Sequence, residues 1–415
     1  MQKQRLLNTL QFLAENSNDT PELGVTRFSW SHADKKAREY IISELEKIGI
    51  TAYTDGIGNI HGRYKGKSNK PAVLIGSHLD TVKNGGKYDG TYGVVSALEV
   101  LRTFHDEAYI PLRDVEFIAF AEEEGSNFGN TCLGSKAITG QLTEQDLKTI
   151  HNSTTSLWDL LQNFGLQPQK LPQEQIIPQD VLAFLEVHIE QNEILYKKNL
   201  PLGIVTAICG MRLHKIHIEG RSDHAASPMQ GRIDPMAAFA EIAYSMEQLW
   251  KNGELPEDFS CTIGNIQCLP NVGIVIPCQV DFTIDIRHVD VKTLEKGWDR
   301  IEAMIKTIQA KRNIKLSIER LSASGGVAMA DFVKDVFAET AKEKNIPVHY
   351  LQSGPAHDAA GMGHKVPVGL LFVPSINGLS HCPTENTSPE HLALGAEILE
   401  EAVRKLAEQE QDISF

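Results

Sequence analysis

No apolar run among the 415 residues approaches the length that spans a bilayer, so a transmembrane helix is not expected. An excess of positive charge is missing as well. Lys and Arg number 40 against 54 Asp and Glu, a net charge of −14 at pH 7. That balance argues against nucleic acid or an anionic membrane as the main partner, because both need a basic face. A small anionic substrate remains compatible, since one local arginine can override a distant field. Cysteine pairs are also absent. Cys132, Cys209, Cys261, Cys268, Cys278 and Cys382 are irregularly spaced and form no C-x-x-C motif. They read as free thiols in a reducing compartment. The segment Met1-Gln2-Lys3-Gln4-Arg5 leads into an amphipathic helix without the apolar core of a signal peptide, so the cytoplasm is the expected location. There is no internal repeat and no low-complexity stretch. What is present is globular in composition, with 41% hydrophobic and 23% charged residues, and the length allows two domains.

The pattern along the chain is mostly alternating strand and helix. Two helices are expected before residue 50, the second starting at Ser31-His32-Ala33-Asp34. Ala72–Ile75 and Val115–Ala121 read as buried strands, and Val94–Leu101 as a helix between them. This is the signature of a mostly parallel sheet with helices on its faces. The character changes near Gly210. Strands are expected at Leu213–Glu219, Cys261–Gln267, Val280–Arg287 and Lys315–Ile318, with helices over Asp234–Trp250 and Val291–Lys311. The order β-α-β-β-α-β resembles a ferredoxin-like module. After Gly325 the alternation returns, with a helix over Phe332–Lys344, a strand over Gly369–Val373 and a last helix over 389–408. The expected architecture is one α/β domain, residues 1–208 and 324–415, interrupted by an α+β domain at 209–323.

Chemistry-bearing residues gather where strands end, the edge at which open α/β sheets bind ligands. His78 and Asp80 follow Ala72–Ile75, and Asp89 lies in the Gly-rich loop after them. Glu122-Glu123-Glu124 follows Val115–Ala121. Three adjacent carboxylates repel one another unless cations neutralise them. A glutamate left free beside a metal can take a proton from water and pass it to a leaving group. Glu186-Val187-His188-Ile189-Glu190-Gln191 places its acidic residues and His188 on one face. Two further loops carry Ser353-Gly354-Pro355-Ala356-His357-Asp358 and Gly378-Leu379-Ser380-His381-Cys382-Pro383. Taken singly, each is also what a solvated acidic turn or a structural histidine looks like. Together, His78, Asp89, Glu124, His188 and His381 make the donor set of a two-metal hydrolase, one carboxylate bridging and His and Glu on either side.

These motifs resemble the metal-dependent amidohydrolases of the M20 peptidase superfamily. The resemblance rests on Gly76-Ser77-His78-Leu79-Asp80, Tyr88-Asp89-Gly90, Glu122 to Phe128 and Glu186 to Gln191. Within that superfamily the sequence is most similar to the N-carbamoyl-L-amino acid hydrolase and allantoate amidohydrolase branch, which Gly24-Val25-Thr26-Arg27, Ile284 to His288 and Gly378 to His381 also match. The resemblance implies an α/β, mostly parallel-sheet metallohydrolase domain with an inserted ferredoxin-like α+β lid and dimerisation domain. It implies two divalent metal ions (Zn, Mn, Co or Ni), with His78 and His188 on one, Glu124 and His381 on the other, and Asp89 between them. Glu123 is implied as general base and acid, and Asp80 as the residue that orients His78. His224, in Ser222-Asp223-His224-Ala225, is implied as the lid histidine that polarises the scissile carbonyl. Arg287 is implied to hold a substrate carboxylate, with Gln191 and His357 lining the pocket. The implied reaction is hydrolysis of a linear amide or ureido C–N bond in a small carboxylate-bearing substrate by a hydroxide bridging the metals. The implied assembly is a homodimer.

The sequence departs from the branch around the substrate. His224-Ala225-Ala226-Ser227-Pro228-Met229 is one residue shorter than the usual motif. Ile274 stands where the branch has a substrate-binding Asn. Asn192-Glu193 replaces the usual Gly-Pro, and Cys382 the usual Asn after His381. None of these touches an implied ligand or Glu123, so the substrate could instead be another N-acyl amine, such as an N-formyl or N-acetyl compound.

Overall fold

The computed structural model describes residues 1–152 and 154–410. The chain divides into two compact units, Met1–Ile208 together with the chain from Ala328 onward, and Cys209–Val327.

The first unit is built on a mixed, mostly parallel sheet. Its strands run in the order Ala52–Thr54, Ile60–Tyr64, Val115–Phe120, Ala72–His78, Val181–Ile189, Val368–Val373 and Leu202–Ile208, and Val348–Ser353 also pairs with Leu202–Ile208. The four central strands, from Val115–Phe120 to Val368–Val373, are mutually parallel, so their carboxyl ends share one edge. Ala72–His78, Val181–Ile189 and Val368–Val373 are buried throughout, as expected of strands covered on both faces. Thr91–Asp106 and Pro389–Ala407 pack on the sheet beside Lys3–Asn16 and His32–Lys47. The second of these amino-terminal helices starts as the sequence suggests, with the Ser31 side chain accepting from the Asp34 N–H.

The second unit is a four-stranded antiparallel sheet, in the order Lys315–Ser324, Gly210–Glu219, Gln279–His288, Ser260–Leu269. Helices Pro235–Lys251 and Val291–Arg312 lie on one face, where Ile242, Ile301 and Ile305 meet Ile216, Val280, Phe282 and Ile284. A small ribbon, Asp223–His224 paired with Val275–Ile276, projects from the same unit. Among the described residues no helix is long and apolar enough to cross a membrane, and none of the six cysteines is paired.

Candidate metal centre

Each central strand delivers its chemistry at its carboxyl end. His78 is the last residue of Ala72–His78, Glu122 to Glu124 follow Val115–Phe120, His188 lies one residue before the end of Val181–Ile189, and His381 sits in the loop after Val368–Val373. Asp89 arrives from the loop that precedes helix Thr91–Asp106. That loop closes tightly over His78. Gly90 sits at φ +61, and a Cβ there would lie 2.3 Å from the His78 ring, so only glycine fits.

Two triads result, and they share Asp89. Ligand atoms of His78, Asp89 and His188 lie within 4.8 Å of one another, as do those of Asp89, Glu124 and His381. Asp89 Oδ1 is 3.1 Å from His188 Nε2 and 3.7 Å from His78 Nε2. Asp89 Oδ2 is 3.1 Å from His381 Nε2, which is 3.2 Å from Glu124 Oε2. Asp89 therefore turns one oxygen to each triad. The buried histidines are aimed by their other nitrogens. His78 Nδ1 is 3.0 Å from the Asp80 carbonyl and His188 Nδ1 2.8 Å from the Ile189 carbonyl, which leaves Nε2 facing the centre. Glu124 Oε1 is buried with no hydrogen-bond partner. Imidazoles and carboxylates without thiolate, one carboxylate shared and one oxygen unsatisfied, fit two divalent cations.

The electrostatics agree with that fit. Burial, then the neighbouring Glu124, Asp358, Asp80 and Asp89, hold the Glu123 carboxyl well above the usual range. Burial and Asp89 push Glu124 up to about 7. Hydrogen bonds to Asp89 and Glu124 raise His381 to about 11. Burial opposes charge on His188, yet Asp89 outweighs it and raises that imidazole to about 9. Without metal, protons thus sit on Glu124, His188 and His381, where a bound cation would displace them.

Asp80 faces His78 Nδ1 with both its carbonyl and its carboxylate. Its backbone carbonyl orients His78, while its carboxylate lies 3.7 Å from His78 Nδ1. The carboxylate also accepts the Glu123 and Glu124 N–H groups, each at 3.1 Å. Asp80 is a positioning residue for the peptide that joins those two glutamates. Gln191, at φ +55, donates its Nε2–H to Asp89 Oδ2 at 2.8 Å. His357 is only 1% exposed, 3.0 Å from Ser353 Oγ and with its ring 4.5 Å from that of His188. In the second unit, exposed His224 accepts the Ala226 N–H at Nδ1, and Ile274 is 66% exposed beside it, its carbonyl taking the Ala225 N–H. Arg287 is held by Asp285 through two hydrogen bonds of 3.0 and 2.9 Å.

Sequence reasoning assigned no role to several groups around the centre. Buried Arg27 donates to the Leu79 carbonyl at 2.6 Å, the Ser17 carbonyl at 2.9 Å and Thr91 Oγ1 at 2.7 Å, tying the His78 strand end to the helix after Asp89. Burial lowers its pKa to about 10, and Asp34 and Asp80 oppose that fall. The Cys132 thiol donates to Glu123 Oε1 at 3.3 Å. Arg27 ends the Gly24–Arg27 motif, which was the available signal. Cys132 had none.

The comparisons extend over nearly the whole chain. An N-carbamoyl-L-amino acid amidohydrolase of Geobacillus stearothermophilus is 35% identical, over 99% of this chain and 100% of that protein. An allantoate amidohydrolase of Bacillus subtilis is 36% identical, over 92% and 93%. The crystal structure of an amidase of the hydantoinase/carbamoylase family from Burkholderia multivorans superposes with a TM-score of 0.88 at 28% identity, over 98% of each chain. The profile of peptidase family M20/M25/M40 matches residues 74–405, and the chain belongs to that family.

Proposed function

We propose that this protein hydrolyses a linear ureido or amide C–N bond in a small substrate, either an N-carbamoyl-L-amino acid or allantoate. The observation that carries the reading is the pair of triads sharing Asp89, with Glu123 buried beside them and 3.8 Å from His78 Nε2. The substrates named for the relatives have a common core, a ureido group on the carbon that bears a carboxylate.

His78 and His188 would hold one divalent ion, Glu124 and His381 the other, with Asp89 between them. When bound, such ions supply Lewis acidity and lower the pKa of water. Glu123 takes the proton of the attacking water and returns it to the departing nitrogen. Burial beside other carboxylates raises its pKa, which favours holding the proton that it passes to the departing nitrogen. Gln191 fixes Asp89, and Asp80 fixes the Glu123 peptide. Arg287 is assigned to the substrate carboxylate, His224 to the carbonyl oxygen on which charge develops, and His357 to the pocket wall. For an N-carbamoyl substrate, one water yields ammonia, carbon dioxide and the free amino acid.

The second unit is read as an inserted ferredoxin-like lid and dimerisation domain. Its strand order and its two helices on one face support the fold, and the homodimer and the cytoplasmic location are part of the same proposal. A deacylase or deformylase reading is favoured by one feature: the apolar, exposed Ile274 beside His224.

Ammonia release by the Zn- or Mn-loaded protein, offered N-carbamoyl-L-amino acids and allantoate in parallel, tests the proposal. Release from either that is lost on chelation supports it. No ammonia, but hydrolysis of N-formyl or N-acetyl amines, replaces it with the second reading.

A further inference from the structure

Two separate loops carry the residues on which both triads depend. One, residues 84–90, brings Asp89. The other, residues 374–388, brings His381. Between them lies Glu385, which is buried. Its Oε1 accepts the N–H of Tyr88 at 2.9 Å and of Asp89 at 3.2 Å. Its Oε2 accepts the Ser380 hydroxyl at 2.9 Å. Ser380 Oγ is also 3.0 Å from Asp89 Oδ2, and His381 is the next residue. A single carboxylate thus joins the backbone of the shared ligand to the loop of the other ligand.

The approach is close enough to dictate sequence. A Cβ on Gly86 would lie 2.0 Å from the Glu385 carboxyl, so the Asp89 loop must offer bare backbone there. His381 itself sits at φ +55, an uncommon left-handed conformation that its surroundings hold in place. The loop hydrogen bonds made through Ser380 and Glu385 are among those surroundings.

We infer that Glu385 is a positioning residue that locks the Asp89 and His381 loops together and so sets the affinity of both metal sites at once. Its carboxylate oxygens are taken up by the Tyr88 and Asp89 amides and the Ser380 hydroxyl. It acts by fixing where Asp89 presents its two oxygens. Support groups of this kind typically change metal affinity by about 10- to 100-fold. Because Asp89 belongs to both triads, removing the clamp weakens both binding steps, whereas damage confined to the His381 loop would weaken one.

The inference rests on the two-metal reading, and the test separates the two. Zn2+ alone is titrated into the metal-free full-length protein against a competing chelator, with Glu385→Ala, Glu385→Gln and Ser380→Ala in parallel. Glu385→Ala leaves the Tyr88 and Asp89 amides without an acceptor, and both Zn2+ steps should weaken about 10- to 100-fold. Hydrogen exchange at those two amides should quicken in the metal-free variant. Glu385→Gln keeps an oxygen for both amides and should restore most of the affinity. Ser380→Ala keeps the amide bonds, lacks the tie to Asp89 Oδ2 and should fall between. If Glu385→Ala does not fold, the graded order of the other two variants carries the test. Wild-type protein that fails to bind two Zn2+ overturns the two-metal reading. Wild type that binds two, with all folded variants binding equally tightly, overturns the role of Glu385 even if their melting temperatures drop.

Discussion

Replacing Asp80 with asparagine separates two ways of supporting the centre. The Asp80 carboxylate spends one oxygen on the Glu123 N–H and the other on the Glu124 N–H, each at 3.1 Å. Asparagine keeps one acceptor and turns an NH2 group toward the other amide. One buried N–H then loses its partner and meets a donor, a cost of about 1–3 kcal/mol. The peptide that carries Glu123 has to shift to relieve the clash. A displacement of about 1 Å of a catalytic group costs roughly 10²-fold in rate. His78 should be spared, because its Nδ1 is oriented by the Asp80 carbonyl, which asparagine retains. The expected result at pH 8 is a kcat lowered about 10²-fold, a lower melting temperature and two metals still bound. The assay is steady-state ammonia release alongside metal analysis of the same preparation. Selective loss of one metal with unchanged stability would refute the reasoning, because it would mean that the carboxylate orients His78 after all.

Glu123→Gln should retain both metals and lose about 10²- to 10⁴-fold in kcat, the range for removing a general acid–base; near-normal turnover would remove Glu123 from that role. Arg287→Ala should raise KM for carboxylate-bearing substrates far more than it lowers kcat, and a substrate amide lacking the carboxylate should be insensitive to the change. The metal-free protein should become less stable as pH rises from about 6 to 9. Glu124 and Glu385 at about 7, Glu122 at about 8 and His188 at about 9 all keep protons in the folded state that the unfolded chain has given up. Each is raised above its unfolded value, so its contribution is full at low pH and disappears as pH passes the folded value. Zn2+ should therefore raise the melting temperature more at pH 8.5 than at pH 6.5 and release protons on binding, read by calorimetry in buffers of different ionisation enthalpy. A pH-independent gain would contradict the charge balance drawn here.

The donor set was legible because it is written where strands stop. His78 and Glu124 follow runs whose apolar character marks them as buried, and a parallel sheet brings the ends of such strands to one edge. The strands Ala52–Thr54, Ile60–Tyr64 and Val348–Ser353 were not read, since they are short, partly exposed and polar on one side. The ribbon that carries His224 is only two residues per strand, too short for any periodicity. How Asp80 meets His78 is not legible for a different reason: His-x-Asp does not say whether the carbonyl or the carboxylate lies nearer the imidazole. Glu385 acts on backbone groups of a distant loop, and a contact of that kind leaves no pattern in the sequence around either partner.

The central claim is that catalysis needs both triads filled, and the most direct measurement is ammonia release followed as Zn2+ or Mn2+ is added back to metal-free protein in fractions of an equivalent. The expected result is little activity through the first equivalent, a rise to the full rate as the second binds, and loss on chelation. Full activity at one equivalent, or activity that survives removal of all metal, would contradict the account.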